Sequence, residues 1–244
     1  MKVVHASWEK RNLGIDCNEV EIESHDTVEA IENDLLQAET EYTVAKIPAG
    51  MIEILFYVQR KGYYFIETMT SCYHAGESFS LTPAEMRFVN RIRYEEMTSQ
   101  DRDYVFSRIE EGLFETDRIA LDPCFTKVQA NQRYIGWISD ELERGASLFK
   151  LMNLERPVGF FCIKSAGAGI CFAFLGGIYP EFARAGFGVP MNFYEIEEGM
   201  KRGAKRILSS YSSNNRGAAA IHLKMGYVLI EQYHVLVKHV NAKI

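Results

Sequence analysis

The chain has 244 residues, of which 47% are apolar and 25% charged, and its formal net charge is −6. This composition is ordinary for a globular protein and is sufficient for one large domain or two small ones. Because the net charge is negative and no run of lysine and arginine exceeds a pair, a nucleic-acid-binding role is not expected.

The cysteine, histidine and apolar patterns exclude further classes of protein. The five cysteines form no C-x-x-C pair, which favours a reducing compartment over a disulfide framework. The six histidines show no metal-ligand spacing, so no metal site is predicted. No apolar run approaches the ~20 residues of a membrane span and the N-terminus lacks a long apolar segment, so we expect a cytoplasmic protein without a membrane role.

A strand–helix–strand pattern opens the part of the chain that shows clear periodicity. Strands are predicted at residues 42–47 and 63–72, on either side of a helix at 51–60. The turn-rich stretch 74–83 that follows predicts a domain boundary. The expected organisation is therefore a small N-terminal α/β domain, residues 1–80, and a larger domain, residues 81–244.

The second half of the chain alternates between strand and helix patterns. Strands are predicted at 88–93, 157–163, 170–179, 206–211 and 227–240. Helices are predicted at 98–112, 132–144, 190–202 and 215–225, with an irregular segment at 114–131. This alternation implies an α/β protein with a mixed central sheet flanked by helices.

A glycine turn, Arg184-Ala-Gly-Phe-Gly188, joins the strand that ends at Ile178 to the helix that opens at Pro190. Backbone amides at such a turn can hold phosphate oxygens, and the helix dipole adds roughly 0.3–1 kcal/mol of preference for an anion. The residues predicted to bind a diphosphate are Arg184, Ala185, Gly186, Phe187, Gly188 and Val189.

A second motif, N-x-x-A-x-x-I-H-x-x-x-G-Y, runs from Asn215 to Tyr227. With the glycine turn, it makes residues 157–240 resemble the catalytic core of the GNAT acetyltransferases. Two positions depart from the family pattern: Ala183 stands where the turn usually begins with glutamine or arginine, and His222 stands at the usual tyrosine. The resemblance implies a mostly antiparallel GNAT sheet and acetyl-CoA as cosubstrate, with no metal.

Looser motifs upstream resemble the dTDP-fucosamine acetyltransferase subgroup. They are Trp8-Glu-x-x-Asn-Leu-Gly14, Lys61-Gly-Tyr63, and Arg118-x-x-x-Asp122-Pro-x-Phe125 followed by Tyr134-x-x-Trp137. This resemblance implies that the N-terminal domain is a partial copy of the GNAT fold. It also implies that the acceptor is the amine of a sugar carried on a nucleotide.

The resemblance further implies that the strand ending at Ile178 and Tyr179 separates from strand 206–211, so that amides near Tyr179 polarise the thioester carbonyl. His222 is predicted either to protonate the departing thiolate or to fill the wall of the slot. Tyr179 either lines the acceptor pocket or packs on Phe182. Asn215 is predicted to cap its helix and, by resemblance, to contact the coenzyme.

Four residues are candidates for acceptor binding: Glu67, Arg118, Asp122 and Tyr134. Each has a structural alternative, because Asp122 precedes a proline in a turn and Tyr134 belongs to an apolar helix stripe. Glu67 lies in an apolar strand, where an acid needs a partner. It is a candidate general base or an arginine partner, and a water relay is the default base.

The sequence thus predicts direct acetyl transfer from acetyl-CoA to a primary amine of a small molecule, without a covalent enzyme intermediate. The favoured acceptor is a nucleotide-linked amino sugar. An amino acid, a peptide or an antibiotic amine is the alternative acceptor, and a non-catalytic acyl-CoA-binding regulator is the alternative function. A homodimer is compatible with this interpretation.

Overall fold

Ten strands form one sheet in the computed structural model, which describes residues 1–76 and 79–240. The strands are β1 Lys2–His5, β2 Cys17–Glu21, β3 Tyr42–Pro48, β4 Tyr64–His74, β5 Ile92–Glu96, β6 Ser147–Asn153, β7 Arg156–Ser165, β8 Ile170–Ile178, β9 Arg206–Ser212 and β10 Val228–His239. Their order across the sheet is β1-β2-β3-β10-β4-β9-β8-β7-β6-β5.

Nine α-helices of the described residues flank this sheet. They are α1 Ser7–Leu13, α2 Val28–Ala38, α3 Ile52–Arg60, α4 Pro83–Val89, α5 Ser99–Glu110, α6 Arg118–Leu121, α7 Lys127–Glu143, α8 Gly188–Lys201 and α9 Arg216–Met225. None of these helices is long and apolar enough to cross a membrane.

The pairing is mostly antiparallel, with parallel pairs only at β2–β3 and β8–β9 among the strands described. The prediction of a mixed, mostly antiparallel sheet flanked by helices is therefore confirmed. Side chains of adjacent strand residues point to opposite faces. Phe160 accordingly packs with α5 and α7 on one face, and Phe161 packs with α8 on the other.

The last strand, β10, lies between β3 and β4 and pairs antiparallel with both. Val235, for example, stands opposite Lys46 on β3 and Glu67 on β4. The sheet is thus continuous from the N-terminal strands to the C-terminal ones. The division into domains 1–80 and 81–244 stays a prediction.

The starts of one strand and one helix were predicted wrongly, and in both places the sequence contains an N-terminal capping box. The strand predicted at 88–93 begins only at Ile92, because residues 83–89 form α4, whose N-terminus has a capping box between Thr82 and Glu85. Helix α7 begins at Lys127 rather than 132, because Thr126 and Gln129 form another capping box. Of the turn-rich stretch predicted at 74–83, residues 77 and 78 lie outside the described residues.

Candidate active site

Strands β8 and β9 pair over only three residues, from Ile170 opposite Arg206 to Phe172 opposite Leu208. Beyond that point β8 stays paired with β7, with a register irregularity near Ala173, and β9 stays paired with β4. A gap therefore opens between β8 and β9, with Ala173 and Ser209 as the first residues beyond the last pair. The predicted separation of these strands is confirmed.

The glycine turn lies between the end of β8 and the start of α8, and residues 183–186 are exposed. Arg184 has φ +64° and Gly186 has φ +85°, a left-handed conformation that turns successive amides toward one concavity. Among the described residues, the amides of Arg184, Gly186, Phe187 and Gly188 donate to no backbone or side-chain acceptor. Four donors thus remain available to an anion, as the prediction of a diphosphate site requires.

The other two amides of the predicted turn are used within the protein. The amide of Ala185 donates to the carbonyl of Phe182 at 3.2 Å, and that of Val189 donates to Gly186 at 3.1 Å. These two bonds hold the turn in shape rather than facing a ligand.

Packing beneath the turn fixes its position. The buried Phe187 ring lies 5.3 Å from the Phe88 ring of α4 and 5.8 Å from that of Phe182. A Cβ atom at Gly188 would lie 3.1 Å from Cγ1 of Ile221, so a glycine at this position allows α8 to approach α9 closely. The start of α8 is therefore anchored on both sides.

A cavity of about 530 Å³ lies on the sheet face covered by α1 and α7. Its lining includes Trp8 of α1, Trp137 of α7 and, from β4 and β9, Ser71 and Ser210. Ser209 also lines it, although its side chain points to the opposite face, because the gap between β8 and β9 opens into the cavity. The cavity size is typical of small-molecule sites.

No protein-family model matches the sequence, and no curated protein matches it. Among solved structures, a GCN5-related N-acetyltransferase from Sphaerobacter thermophilus has a TM-score of 0.60 at 13% identity, covering 100% of this chain and 77% of that chain. The glucosamine N-acetyltransferase region of a fungal multi-domain GH3 β-N-acetylglucosaminidase has a TM-score of 0.64 at 9% identity, covering 97% of this chain and 31% of that chain. A tandem GNAT protein from the clavulanic acid biosynthesis pathway has a TM-score of 0.57 at 10% identity, covering 93% of this chain and 76% of that chain. The chain has the GNAT fold.

His222 of α9 lies directly behind the gap of this GNAT fold and is buried. Its Nδ1 lies 2.8 Å from the carbonyl oxygen of Ala218, and its Nε2 lies 2.9 Å from Oγ of Ser209. Burial lowers the pKa of His222, opposed by the hydrogen bond to Ala218. The imidazole is therefore neutral near pH 7, and it faces the gap through Ser209 rather than directly.

Asn215 begins α9 and caps it, because its Oδ1 accepts a hydrogen bond from the amide of Ala218 at 3.0 Å. The predicted cap is confirmed, and the predicted contact with the coenzyme stays a prediction. Tyr179 is fully buried and packs edge-on against Tyr104 at 5.5 Å. Its side chain lines a second, smaller cavity of about 260 Å³ beside α5.

Of the four predicted acceptor residues, Arg118 alone is part of the described lining of the large cavity. Its Nη2 lies 3.1 Å from Oε1 of Glu9 and 2.5 Å from Oε1 of Glu19. Arg133, also in the lining, donates from Nε to both oxygens of Glu9 at 2.8 and 2.9 Å. Arg118 is therefore held by a buried charge network at the base of the cavity.

The other three predicted acceptor residues lie outside the described lining of this cavity. Asp122 is buried, with Oδ2 2.7 Å from Nε2 of His239. Tyr134 packs against the Phe114 ring at 4.5 Å, and Glu67 is buried on β4. Their predicted roles in acceptor binding stay predictions.

Asp122, Cys124 and His239 bring three candidate metal-ligand atoms within 4.8 Å of one another. The direct contact between Asp122 and His239, together with the hydrogen bond from the Cys124 amide to Oδ1 of Asp122 at 3.0 Å, accounts for this cluster structurally. The absence of a metal site stays a prediction.

Glu195 of α8 is a buried acid that the sequence did not single out. Its Oε1 occupies space beside Gly176 of β8, where a Cβ would lie only 2.8 Å away. No described residue donates a hydrogen bond to its carboxyl group, and burial raises its pKa to about 8. The side chain is therefore protonated at neutral pH.

Replacing Glu195 with glutamine is expected to raise the midpoint of thermal unfolding at pH 8 and to leave it unchanged near pH 4. The unfolded acid loses its proton around pH 4.5, whereas the folded one keeps it to about pH 8. Wild-type stability therefore falls as pH rises across this window, by on the order of a few kcal/mol. Glutamine has no such proton to lose.

Thermal melts at pH 4, 6 and 8 test this expectation. Glu197→Gln, on the same helix but paired with Lys201 at 3.0 Å, is the control and should keep the wild-type pH dependence. If Glu195→Gln also keeps it, the acid is not held neutral by the fold.

Proposed function

We propose that this protein is an acetyl-CoA-dependent N-acetyltransferase that transfers the acetyl group directly to a primary amine. The observation that carries the proposal is the exposed glycine turn, whose four unengaged amides stand beside the gap between β8 and β9. A diphosphate bound there places the rest of the coenzyme at the gap. Helix N-termini and left-handed turns of this kind are suited to phosphate.

The gap explains how the two substrates meet. The coenzyme is anchored at the start of α8, and its pantetheine arm enters between β8 and β9. The large cavity lies on the face covered by α1 and α7, so the acceptor approaches the thioester from that side. Holding both reactants in this way supplies much of the rate acceleration of a direct transfer.

The proposed acceptor is an amino sugar, carried on a nucleotide as the upstream motifs suggest. The cavity combines two indole side chains, Trp8 and Trp137, with the polar groups of Asn12, Ser71 and Ser210. Apolar walls with a few polar groups are typical of sites that orient a small polar ligand. The fungal structural neighbour is a glucosamine N-acetyltransferase region, so in that protein this fold serves an amino sugar.

Replacing Gly186 with alanine is expected to weaken acetyl-CoA binding at least tenfold. The added methyl group strains the left-handed backbone at φ +85° and reorients the amides that hold the diphosphate. Gly203→Ala is the matched control, because Gly203 has φ +84° with open space around it and ends α8 far along the chain from the turn.

Isothermal titration of acetyl-CoA into the wild type and both variants measures the effect. We expect the affinity of Gly203→Ala to stay within twofold of wild type. Equal loss in both variants would attribute the effect to strain alone and would remove the support for the diphosphate site.

A panel of amines assayed by release of free thiol tests the acceptor class. We expect the highest kcat/KM with nucleotide-linked amino sugars. Activity restricted to amino acids, peptides or antibiotic amines would overturn the amino-sugar assignment. Tight acetyl-CoA binding without turnover on any amine would instead favour a non-catalytic regulator.

A further inference from the structure

Ser209 and His222 form a hydrogen-bonded pair at the apex of the gap. Ser209 is the first residue of β9 beyond its last pair with β8. Its Oγ lies 2.9 Å from Nε2 of His222 and 3.3 Å from the carbonyl oxygen of Ala173. Ser209 is among the residues that line the large cavity. Its hydroxyl group lies on the α9 side of the sheet, at the edge of the gap that the thioester is proposed to enter.

The hydrogen bonds of His222 fix the direction in which a proton can move. A carbonyl oxygen only accepts, so Nδ1, 2.8 Å from the Ala218 oxygen, carries the hydrogen of the neutral ring. Nε2 then has a free lone pair. It accepts the single hydroxyl hydrogen of Ser209 at 2.9 Å, in preference to the Ala173 carbonyl oxygen, which lies farther away at 3.3 Å. In this state the ring is a proton acceptor, whereas the sequence predicted either a proton donor or a residue that fills the wall of the slot.

The groups around His222 do not prevent its Nε2 from accepting a proton. The rings of Tyr211 and Tyr227 lie 5.0 and 4.6 Å away, centre to centre. On the neighbouring strand, Sγ of Cys72 donates to the Ser209 carbonyl at 3.5 Å. Glu195, the buried acid of α8, is protonated near pH 7, and among the described residues no carboxylate forms an ion pair or hydrogen bond with His222.

We propose that Ser209 and His222 form a relay that carries the proton of the attacking amine to the departing sulfur of coenzyme A. This proposal rests on the acetyl transfer proposed above. Ser209 contacts the reacting atoms and is the catalytic residue. His222 acts through Ser209 and is a positioning residue. Its Nε2 holds the proton between the attack of the amine and the departure of the thiolate.

The relay balances within the reaction. The amine nitrogen attacks the thioester carbon, forming the C–N bond and placing the carbonyl electron pair on oxygen. The nitrogen gives a proton to Oγ of Ser209 while the Ser209 hydrogen moves to Nε2 of His222. The electron pair on oxygen then re-forms the carbonyl while the C–S bond breaks with its electron pair on sulfur. Oγ of Ser209 gives its hydrogen to the thiolate, and the hydrogen on Nε2 of His222 returns to Oγ.

The test compares Ser209→Ala, Ser209→Thr, His222→Phe and the double variant Ser209→Ala/His222→Phe. We expect Ser209→Ala and His222→Phe each to lower kcat at least tenfold, with the Kd for acetyl-CoA within twofold of wild type. Because the two groups act as one unit, the double variant should be no slower than the slower single variant. Threonine keeps the hydroxyl group and should restore most of the activity.

A pH profile separates the relay from a merely structural role. In the wild type, kcat should fall below the pKa of His222, measured independently from its imidazole signals by NMR, and this acid limb should vanish in both single variants. Wild-type turnover in Ser209→Ala, or additive losses in the double variant, would overturn the relay and leave acetyl transfer intact. A wild type that binds acetyl-CoA but acetylates no amine would overturn both.

Discussion

Replacing Arg118 with methionine is expected to lower the free energy of unfolding by about 3 kcal/mol. Arg118 contacts Glu9, which is fully buried, and Glu19, which is 7% exposed. Burial alone would raise the pKa of Glu19, but Arg118 and Lys46 hold it at about 2. Without the guanidinium, Glu9 keeps only Arg133 and Glu19 keeps only Lys46 as cationic partners among the described residues.

Urea unfolding at pH 7 measures this effect, with Arg144→Met as control. Arg144 pairs with Glu141 at 3.1 Å, but its side chain is 63% exposed, so its loss should cost under about 1 kcal/mol. In the wild type, the contribution of Glu19 to the free energy of unfolding should disappear as pH falls from about 4.5 toward 2. The reason is that the pKa of Glu19 is about 2 in the folded protein and about 4.5 in the unfolded chain. Equal destabilisation by the two variants would contradict a structural role for Arg118.

Replacing Ser71 with tryptophan is expected to lower kcat/KM for the acceptor by at least two orders of magnitude, while acetyl-CoA binds as in the wild type. Ser71 lies on β4 opposite Ser210, and both line the large cavity. An indole at this position fills the space that the acceptor requires. The glycine turn lies elsewhere, at the start of α8, so the diphosphate contacts are unaffected.

Tyr73→Trp is the matched control for this experiment. Tyr73 lies two residues further along β4, on the same face, but it is not part of the described cavity lining. Steady-state kinetics with the best acceptor, and titration with acetyl-CoA, should show a large loss only for Ser71→Trp. Unchanged kcat/KM in that variant would place the acceptor outside this cavity.

The sequence was informative wherever function depends on local backbone chemistry. The glycine turn was predictable because Gly186 and Pro190 carry conformational preferences that adjacent residues express directly. The Asn215 cap was predictable for the same reason. The mixed sheet followed from alternating strand and helix patterns.

The sequence was uninformative wherever function depends on the order of strands in the sheet. Ser209 has no local signal, and its contact with His222 exists only because α9 packs on β9. Trp8 of α1 and Ser71 of β4 line the same cavity. The sequence does not show this, because the last strand, β10, lies between β3 and β4 in the sheet. Arg118 was predicted from a motif, but only the buried positions of Glu9 and Glu19 show that ion pairs hold it.

The structure of the complex with acetyl-CoA tests the central claim most directly. We predict diphosphate oxygens within about 2.7–3.2 Å of the amide nitrogens of Arg184, Gly186, Phe187 and Gly188, with the acetyl group at the gap beside Ser209. A coenzyme bound elsewhere, with these four amides facing solvent, would contradict it.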